Sequence, residues 1–341
     1  MPELALQEIH HHVVLALLAA GTDSTHASIV ADALVAAEAD GIASHGLVRL
    51  PDYVAQLRSG KLNGQAHPQI TRTAKGIVRV DANSGFAYPA ILQGLEIAVP
   101  VAREQGIVAM PVARSHHFGV AGMHVEHIAR QGLIGIALGN SPAAIAPWGG
   151  KRPLFGTNVL AFGFPRAHDA PLVIDLALSV AARGKLVLAA KRHEPIPAGW
   201  AIDAEGHATT DPQRGLEGSL LPIGGHKGAL LALAVEILAA ALVGSRFGYE
   251  ASSFFEADGS PPHVGQLFIL IDPNAFGVSD YASRLEMLIE TLLADPSVRL
   301  PGARRRENRE LAELKGVAID NDLWARVRAL AGADSSLNEP P

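Results

Sequence analysis

The residues best equipped for chemistry fall in a few short segments. In Asp40-Gly41-Ile42-Ala43-Ser44-His45-Gly46-Leu47-Val48-Arg49-Leu50, a histidine stands between a serine and a glycine at a helix boundary, with an arginine four positions on. Four positions is about one helical turn, so His45 and Arg49 can face one ligand. Imidazole exchanges a proton near neutral pH. Guanidinium grips a carboxylate through two hydrogen bonds. The bland alternative is a capping serine and a surface histidine.

A second segment, Arg114-Ser115-His116-His117-Phe118-Gly119, follows an apolar run that ends at Val112. A junction of strand, loop and helix is a usual ligand position in α/β proteins. With His124 and His127 it also invites a metal, and so a metal-dependent hydrolase. Adjacent histidines in an extended loop point opposite ways, however, and neither H-E-x-x-H nor a nearby acidic set completes a site. The expectation is no metal. Phe155-Gly156-Thr157-Asn158, after Pro147-Trp148-Gly149-Gly150, suits a tight loop lining a polar pocket or marks only a turn. Gly224-Gly225-His226-Lys227-Gly228 opens an apolar helix. Glycines, free N–H groups and a lysine together form an anion site, or else a glycine turn with a solvated lysine. G-x-G-x-x-G is missing, so no standard Rossmann fingerprint is present.

The elements that carry these segments can be read coarsely. Periodic apolar positions predict helices over 4–20, after a cap at Ser24 or Thr22, and from Leu47 to near Gly60. From residue 76 the grammar becomes mixed. Strands are expected at 76–81, 107–112, 133–138, 160–164, 172–176 and 266–271, with helices at 90–105, 120–131, 181–191 and 281–293. Residues 200–211 read as an irregular hairpin. The helix 228–242 is apolar on all sides and is expected to be buried. Basic and mixed helices at 304–314 and 322–331 precede a polar tail, expected to be disordered.

Composition excludes several classes. Of 341 residues, 48% are hydrophobic and 18% charged, which is globular and not disordered. A net charge of −6 without a basic block offers nothing to nucleic acid. Cysteine is absent, which removes disulfides, thiolate metal sites and a cysteine nucleophile, and fits a reducing, cytoplasmic setting. No apolar run is long enough to span a membrane.

Taken in order, these segments resemble the malate/L-lactate dehydrogenase family of the type that lacks the Rossmann fold. Its members include sulfolactate dehydrogenases and reductases of cyclic imino acids. The resemblance also rests on Asp175-Leu176-Ala177-Leu178-Ser179, Ala182-Arg183-Gly184-Lys185, Ile196-Pro197-Ala198-Gly199-Trp200-Ala201, Thr209-Thr210-Asp211-Pro212 and Leu300-Pro301-Gly302, and covers roughly residues 3 to 330. Val159 stands where many members carry proline.

The resemblance implies a mixed α/β fold with a non-Rossmann nicotinamide-binding domain, a helical domain built from both chain ends and a small third domain. The matching boundaries are 1–75 completed by about 300–332, 76–215 with 260–299, 216–259, and a tail at 333–341. It implies a homodimer with the active site near the interface. It makes His45 the acid/base with Ser44 as its orienter, Arg49 the carboxylate clamp, and Thr157 a substrate contact. The cofactor, NADP or NAD, would be held by His117, Phe118, Gly119, Val120 and Ala121, by Asp175, Leu176 and Ala177, by His226 and Lys227, and by Arg304. The run Arg304-Arg305-Arg306 favours NADP. The implied reaction interconverts a 2-hydroxy acid and a 2-oxo acid, with malate, lactate or sulfolactate as candidates. Reduction of 1-piperideine- or 1-pyrroline-2-carboxylate is the near rival, although that branch often has an acidic residue near Lys185. A non-catalytic dimeric binding protein is a further alternative.

Overall fold

The computed structural model describes residues 3–332, so the expected tail at 333–341 lies outside the described residues. In chain order the elements begin with β1 (Glu3–Leu4), α1 (Leu6–Ala19) and α2 (Ser24–Ala39). Two single turns of 3₁₀ helix follow, Ala43–His45 and Leu47–Arg49, then α3 (Leu50–Ser59). The central part comprises β2 (Gln69–Ala74), β3 (Ile77–Asp81), α4 (Ala87–Gln105), β4 (Ile107–Ser115), α5 (Ala121–Arg130), β5 (Ile134–Gly139), β6 (Val159–Phe164) and β7 (Leu172–Ala177). Next come α6 (Arg183–Arg192), β8 (Ala201–Ile202), β9 (Ala208–Thr209), α7 (Pro212–Glu217), β10 (Ser219–Leu220) and α8 (His226–Glu236), which runs on as a wider turn over Ile237–Ala241. The chain closes with β11 (Val264–Ile271), α9 (Tyr281–Leu293), α10 (Ala303–Lys315), β12 (Val317–Ala318) and α11 (Asn321–Leu330).

The seven-stranded sheet has the order β2-β3-β4-β11-β5-β6-β7. β3 and β4 are parallel, joined through α4, and every other neighbouring pair is antiparallel. It is therefore a mixed sheet, as the sequence implies. Helices α4 and α5 cover one face, where Ile91, Leu95, Val125 and Ile128 close over Val80, Met110 and Phe268. A separate helical core joins α1, α2 and α3 to Ile319, Trp324 and Val327 from the far end of the chain. The short β1–β12 ladder fastens the two ends together. A third core lies between the other sheet face, α8 and the small β8–β10 sheet.

Two local expectations change. Asp23, not Ser24 or Thr22, caps α2, because its carboxylate accepts from the amides of Thr25 and His26 at 2.9 and 3.1 Å. The apolar helix is buried on one face only. Ala229, Ala232, Val235 and Ala239 pack inward, while Leu230, Leu231, Ile237 and Leu242 are exposed. The small side chains let the helix approach the sheet closely, and the leucines fall on the opposite side of the 3.6-residue period.

Close approach also fixes the middle of α4. A Cβ on Gly94 would lie 2.7 Å from Val80 Cγ2 and 2.8 Å from Met110 Sδ. Gly94→Ala should therefore destabilise the fold by about 1–3 kcal/mol through overpacking. That outweighs the roughly 1 kcal/mol alanine gains from helix propensity. Urea unfolding checks this, and a more stable variant would contradict it.

Candidate active site

The site is built on the turn that leaves α2. Gly41 takes a φ of 73°, and Asn308 of α10 lies over it, donating to the carbonyl of Asp40 at 3.1 Å. Asp40 and Glu126 share Arg309, with N–O distances of 2.7 and 2.8 Å. That ion-pair group ties α2, α5 and α10 together. The chain then runs through the two 3₁₀ turns under a buried carboxyl. Glu38 Oε1 accepts from the amide of Leu47 at 2.6 Å. A side chain on Gly46 would collide with that carboxyl. Burial pushes Glu38 up to about 7, and the Leu47 amide opposes the rise.

This seating fixes the three residues singled out by spacing. Ser44 Oγ lies 3.0 Å from His45 Nδ1, which leaves Nε2 for a ligand. Arg49 Nε donates to the Ser44 carbonyl at 2.9 Å, and its guanidinium sits 4.6 Å above the ring of Phe255. The pair is held by two tight turns and not by one α-helical turn. The His45 ring stacks on His117 at 5.4 Å. His117 Nδ1 meets Tyr53 Oη at 2.7 Å, and Tyr53 meets Tyr88 at 3.1 Å. Burial lowers His45 to about 4, with Arg49 adding to the fall, and holds His117 well below the ordinary imidazole range. Burial raises Tyr53 and pushes Tyr88 up to about 12. At neutral pH the site therefore holds uncharged imidazoles, protonated phenols and a permanent guanidinium.

His117 reaches the site because β4 is irregular. The β4–β11 register shifts between Val264 and Gln266, and Arg114 adopts a φ of 48° while its guanidinium clasps Asp81. Such a bulge re-aims the residues after it. Contrary to the extended-loop expectation, both histidines reach one helix. His116 bonds Gln56 and His117 bonds Tyr53, both on α3. Among the described residues no group of three potential metal ligands converges.

A cleft of about 530 Å³ opens between this turn, β7, the start of α6 and the loop after α8. Ser44, His45, Arg49, His117, Gly119, Val120, Ala121, Thr157, Asp175 and Ala177 line it. Thr157 is held by Ser141, whose Oγ accepts from its amide at 3.1 Å, and its neighbour Asn158 by a buried acid. Glu236 Oε2 accepts from Asn158 at 2.8 Å, and Oε1 accepts from Asn140 at 3.0 Å and from the Gly248 amide at 2.6 Å. Asp175 accepts from the Gly122 amide at 2.8 Å and lies 3.6 Å from Arg305. A Cβ on Gly122 would stand 2.5 Å from Arg305 and 2.9 Å from Asp175, so glycine is required for the three to meet.

The other sequence candidates lie elsewhere. Phe118 is buried and stacks on His124. Leu176 alternates to the opposite side of β7 from Asp175 and is exposed. His226 and Lys227 are exposed beside Trp148. Arg304 is exposed, and Arg305, one position on, turns toward the cleft. Arg305 also lines a second cleft of about 370 Å³ with Arg130, Arg166, Arg306 and Arg309, all ion-paired, and with the carboxylates of Glu126, Asp169, Glu310 and Glu313. Glu38, Ser141 and Phe254 were not singled out by sequence, Tyr53 was read only as an apolar helix position, and Arg305 was read only as part of the basic run 304–306. Glu38 and Tyr53 fall on apolar helical faces, where they read as packing.

A profile of the malate/L-lactate dehydrogenase family matches residues 4–328. The chain belongs to that family. It is 51% identical over 321 residues to a (2R)-3-sulfolactate dehydrogenase (NADP(+)) of Chromohalobacter salexigens, covering 93% of this chain and 96% of the relative. It is 41% identical to a Δ1-pyrroline-2-carboxylate/Δ1-piperideine-2-carboxylate reductase of Pseudomonas putida, covering 92% of each. The fold is that of Δ1-piperideine-2-carboxylate reductase from Pseudomonas syringae pv. tomato, with a TM-score of 0.92 and 36% identity over 97% of this chain and all of that one. Sulfolactate dehydrogenase from Methanocaldococcus jannaschii gives 0.89 at 29% identity, covering 97% of each. Like the other members of its dehydrogenase family, the chain is an oxidoreductase.

The Glu38 seating gives a pH prediction. A carboxyl raised in the folded state keeps a proton that the unfolded chain has lost. Its contribution is thus favourable below pH about 4.5 and declines as pH rises toward 7. Glu38→Gln keeps an acceptor for Leu47 but cannot ionise. Its stability relative to wild type should rise between pH 5 and 8, by up to about 3 kcal/mol. Thermal unfolding at both pH values checks this, and a constant difference would contradict it.

Proposed function

We propose that the protein is an NADP-dependent dehydrogenase interconverting a 2-hydroxy acid and its 2-oxo acid. The observation that carries this is His45 and Arg49 in one cleft, with an uncharged imidazole facing a permanent guanidinium. Arg49 holds the substrate carboxylate through its fork of donors. His45 Nε2 takes the hydroxyl proton in oxidation and returns it to the carbonyl oxygen in reduction. Ser44 fixes the ring by its contact with Nδ1, and Thr157 faces the substrate from the opposite wall. An anion beside Arg49 offsets the charge that helps hold His45 neutral, so substrate binding readies the imidazole for a proton.

The residues fit a nicotinamide dinucleotide. Gly119, Val120 and Ala121 lead into α5, whose N-cap residue Val120 has no capping side chain; Asp175 takes the Gly122 amide, and the amides before it are offered to phosphate. Asp175 offers a carboxylate to ribose hydroxyls. Arg305, whose contact with Asp175 is a long 3.6 Å, stands where the cleft meets the neighbouring charged one and offers a guanidinium to a 2′-phosphate, which supports NADP over NAD. The bound nicotinamide supplies or accepts the hydride. The half-exposed leucines of α8 support a homodimer. A cysteine-free chain fits the cytoplasm, and no helix among the described residues is long and apolar enough to cross a membrane. The curated relatives at about 40% identity keep reduction of cyclic imino acids as the second reading. Against it, α6 brings no acid to the cleft, and Lys185 lies 5.6 Å above the Trp200 ring.

His45→Gln should retain NADPH binding and lose turnover by roughly 10²–10⁴-fold. Fluorescence titration of NADPH and steady-state rates check both halves. Near-normal turnover would remove His45 from the mechanism.

A further inference from the structure

The cleft holds a second guanidinium. Besides Arg49, its charged lining residues are Arg183, Asp175 and Glu256. Asp175 is engaged by the Gly122 amide and Arg305. Arg183 is not engaged in that way. Its bonds go to the carbonyls of Ala143 and Leu216, both at the long limit of 3.4 Å. Among the described residues no carboxylate lies within ion-pair distance of it, and Glu256 acts on it only from farther away. Burial works against its charge. A guanidinium carries five donors, and desolvating it without an anion is unfavourable. Arg183 is therefore built to meet an anion that the chain does not supply. Arg49, across the same cleft, is anchored by the Ser44 carbonyl and Phe255 and is likewise free of any carboxylate within ion-pair distance among the described residues.

We propose that Arg183 anchors a second acidic group of the substrate, so that the preferred 2-hydroxy acids are dianions. Arg49 takes the C1 carboxylate, His45 meets the C2 oxygen, and Arg183 takes a carboxylate or sulfonate carried beyond C2. Both groups present oxygens that a guanidinium can bind in pairs. The assignment rests on the hydroxy-acid reading above. It leaves a monoanionic cyclic imine with one cation unanswered.

The test measures binding of malate, 3-sulfolactate and lactate to the enzyme–NADPH complex by calorimetry. These pairs cannot react, so affinity is read apart from turnover. In wild type the better bound of the two dianions should bind at least about tenfold tighter than lactate. Arg183→Gln should collapse that ratio toward one, and Arg183→Lys should restore part of it by charge alone. Preference for malate or for 3-sulfolactate tells carboxylate from sulfonate. A ratio that persists in Arg183→Gln, or a wild type without preference, would overturn the assignment. The hydroxy-acid reading fails separately, if wild type turns over none of the matching 2-oxo acids whatever the binding ratio.

Discussion

Glu38 sits at the end of α2 with its carboxyl turned under the loop that carries Ser44, His45 and Arg49. One of its oxygens accepts from the Leu47 amide, and the space where a Gly46 side chain would be is filled by the same carboxyl. Short-range bonds close each turn, and Leu47 and Leu50 anchor the loop in the helical core. The two 3₁₀ turns are too short to hold themselves, since each closes a single turn. Beyond those leucines, what seats the Ser44–Arg49 loop on the helical core is therefore one buried hydrogen bond and one absent side chain, and the contacts of His45 and Arg49 with Ser44, His117 and Phe255 build on that seat. Around it, the Asp40–Arg309–Glu126 group locks α2 to α5 and α10, so the Ser44–Arg49 loop and the glycine loop before α5 share one support.

Desolvation then decides the charges. The rings of His45, His116 and His117 are kept uncharged by burial, each with help from Arg49. A chain with fifteen histidines thus brings neutral imidazoles to the cleft and leaves positive charge to arginine. That division suits an anionic substrate and a proton that must come and go. Fixed charge binds, and a group with a movable pKa reacts. The Asp175–Arg305 contact links the inner cleft to a neighbouring one in which arginines and carboxylates alternate.

Six of the seven strands were legible as short apolar runs, and the 200–211 hairpin because turn residues interrupt it, while β2, a polar and largely exposed edge strand, left no such signal and the mixed arrangement came from the family resemblance. His45, Arg49 and Thr157 were legible because polar residues beside glycine stand out against apolar helices. Glu38 and Tyr53 were hidden by the same rule, since both lie on stripes that read as core. Arg304 and Arg305 could not be separated by pattern, because one residue is 100° of helix and the phase of α10 depends on its docking against α2 and β7. The leucine face of α8 was misjudged for a related reason. Apolarity on all sides states that both faces avoid water but not what covers them. His116 and His117 share a helix because a bulge in β4 re-aims them, and a bulge leaves no mark in residue type.

The central claim is that the cleft reduces a 2-oxo acid with NADPH. The most direct measurement is nicotinamide absorbance at 340 nm during turnover of a panel of 2-oxo acids and cyclic imino acids, each offered with NADPH and with NADH. The account predicts that 2-oxo acids are turned over with the higher kcat/KM, and that NADPH is preferred. A chain that reduces only the cyclic imines, or that consumes neither cofactor with any 2-oxo acid, would contradict it.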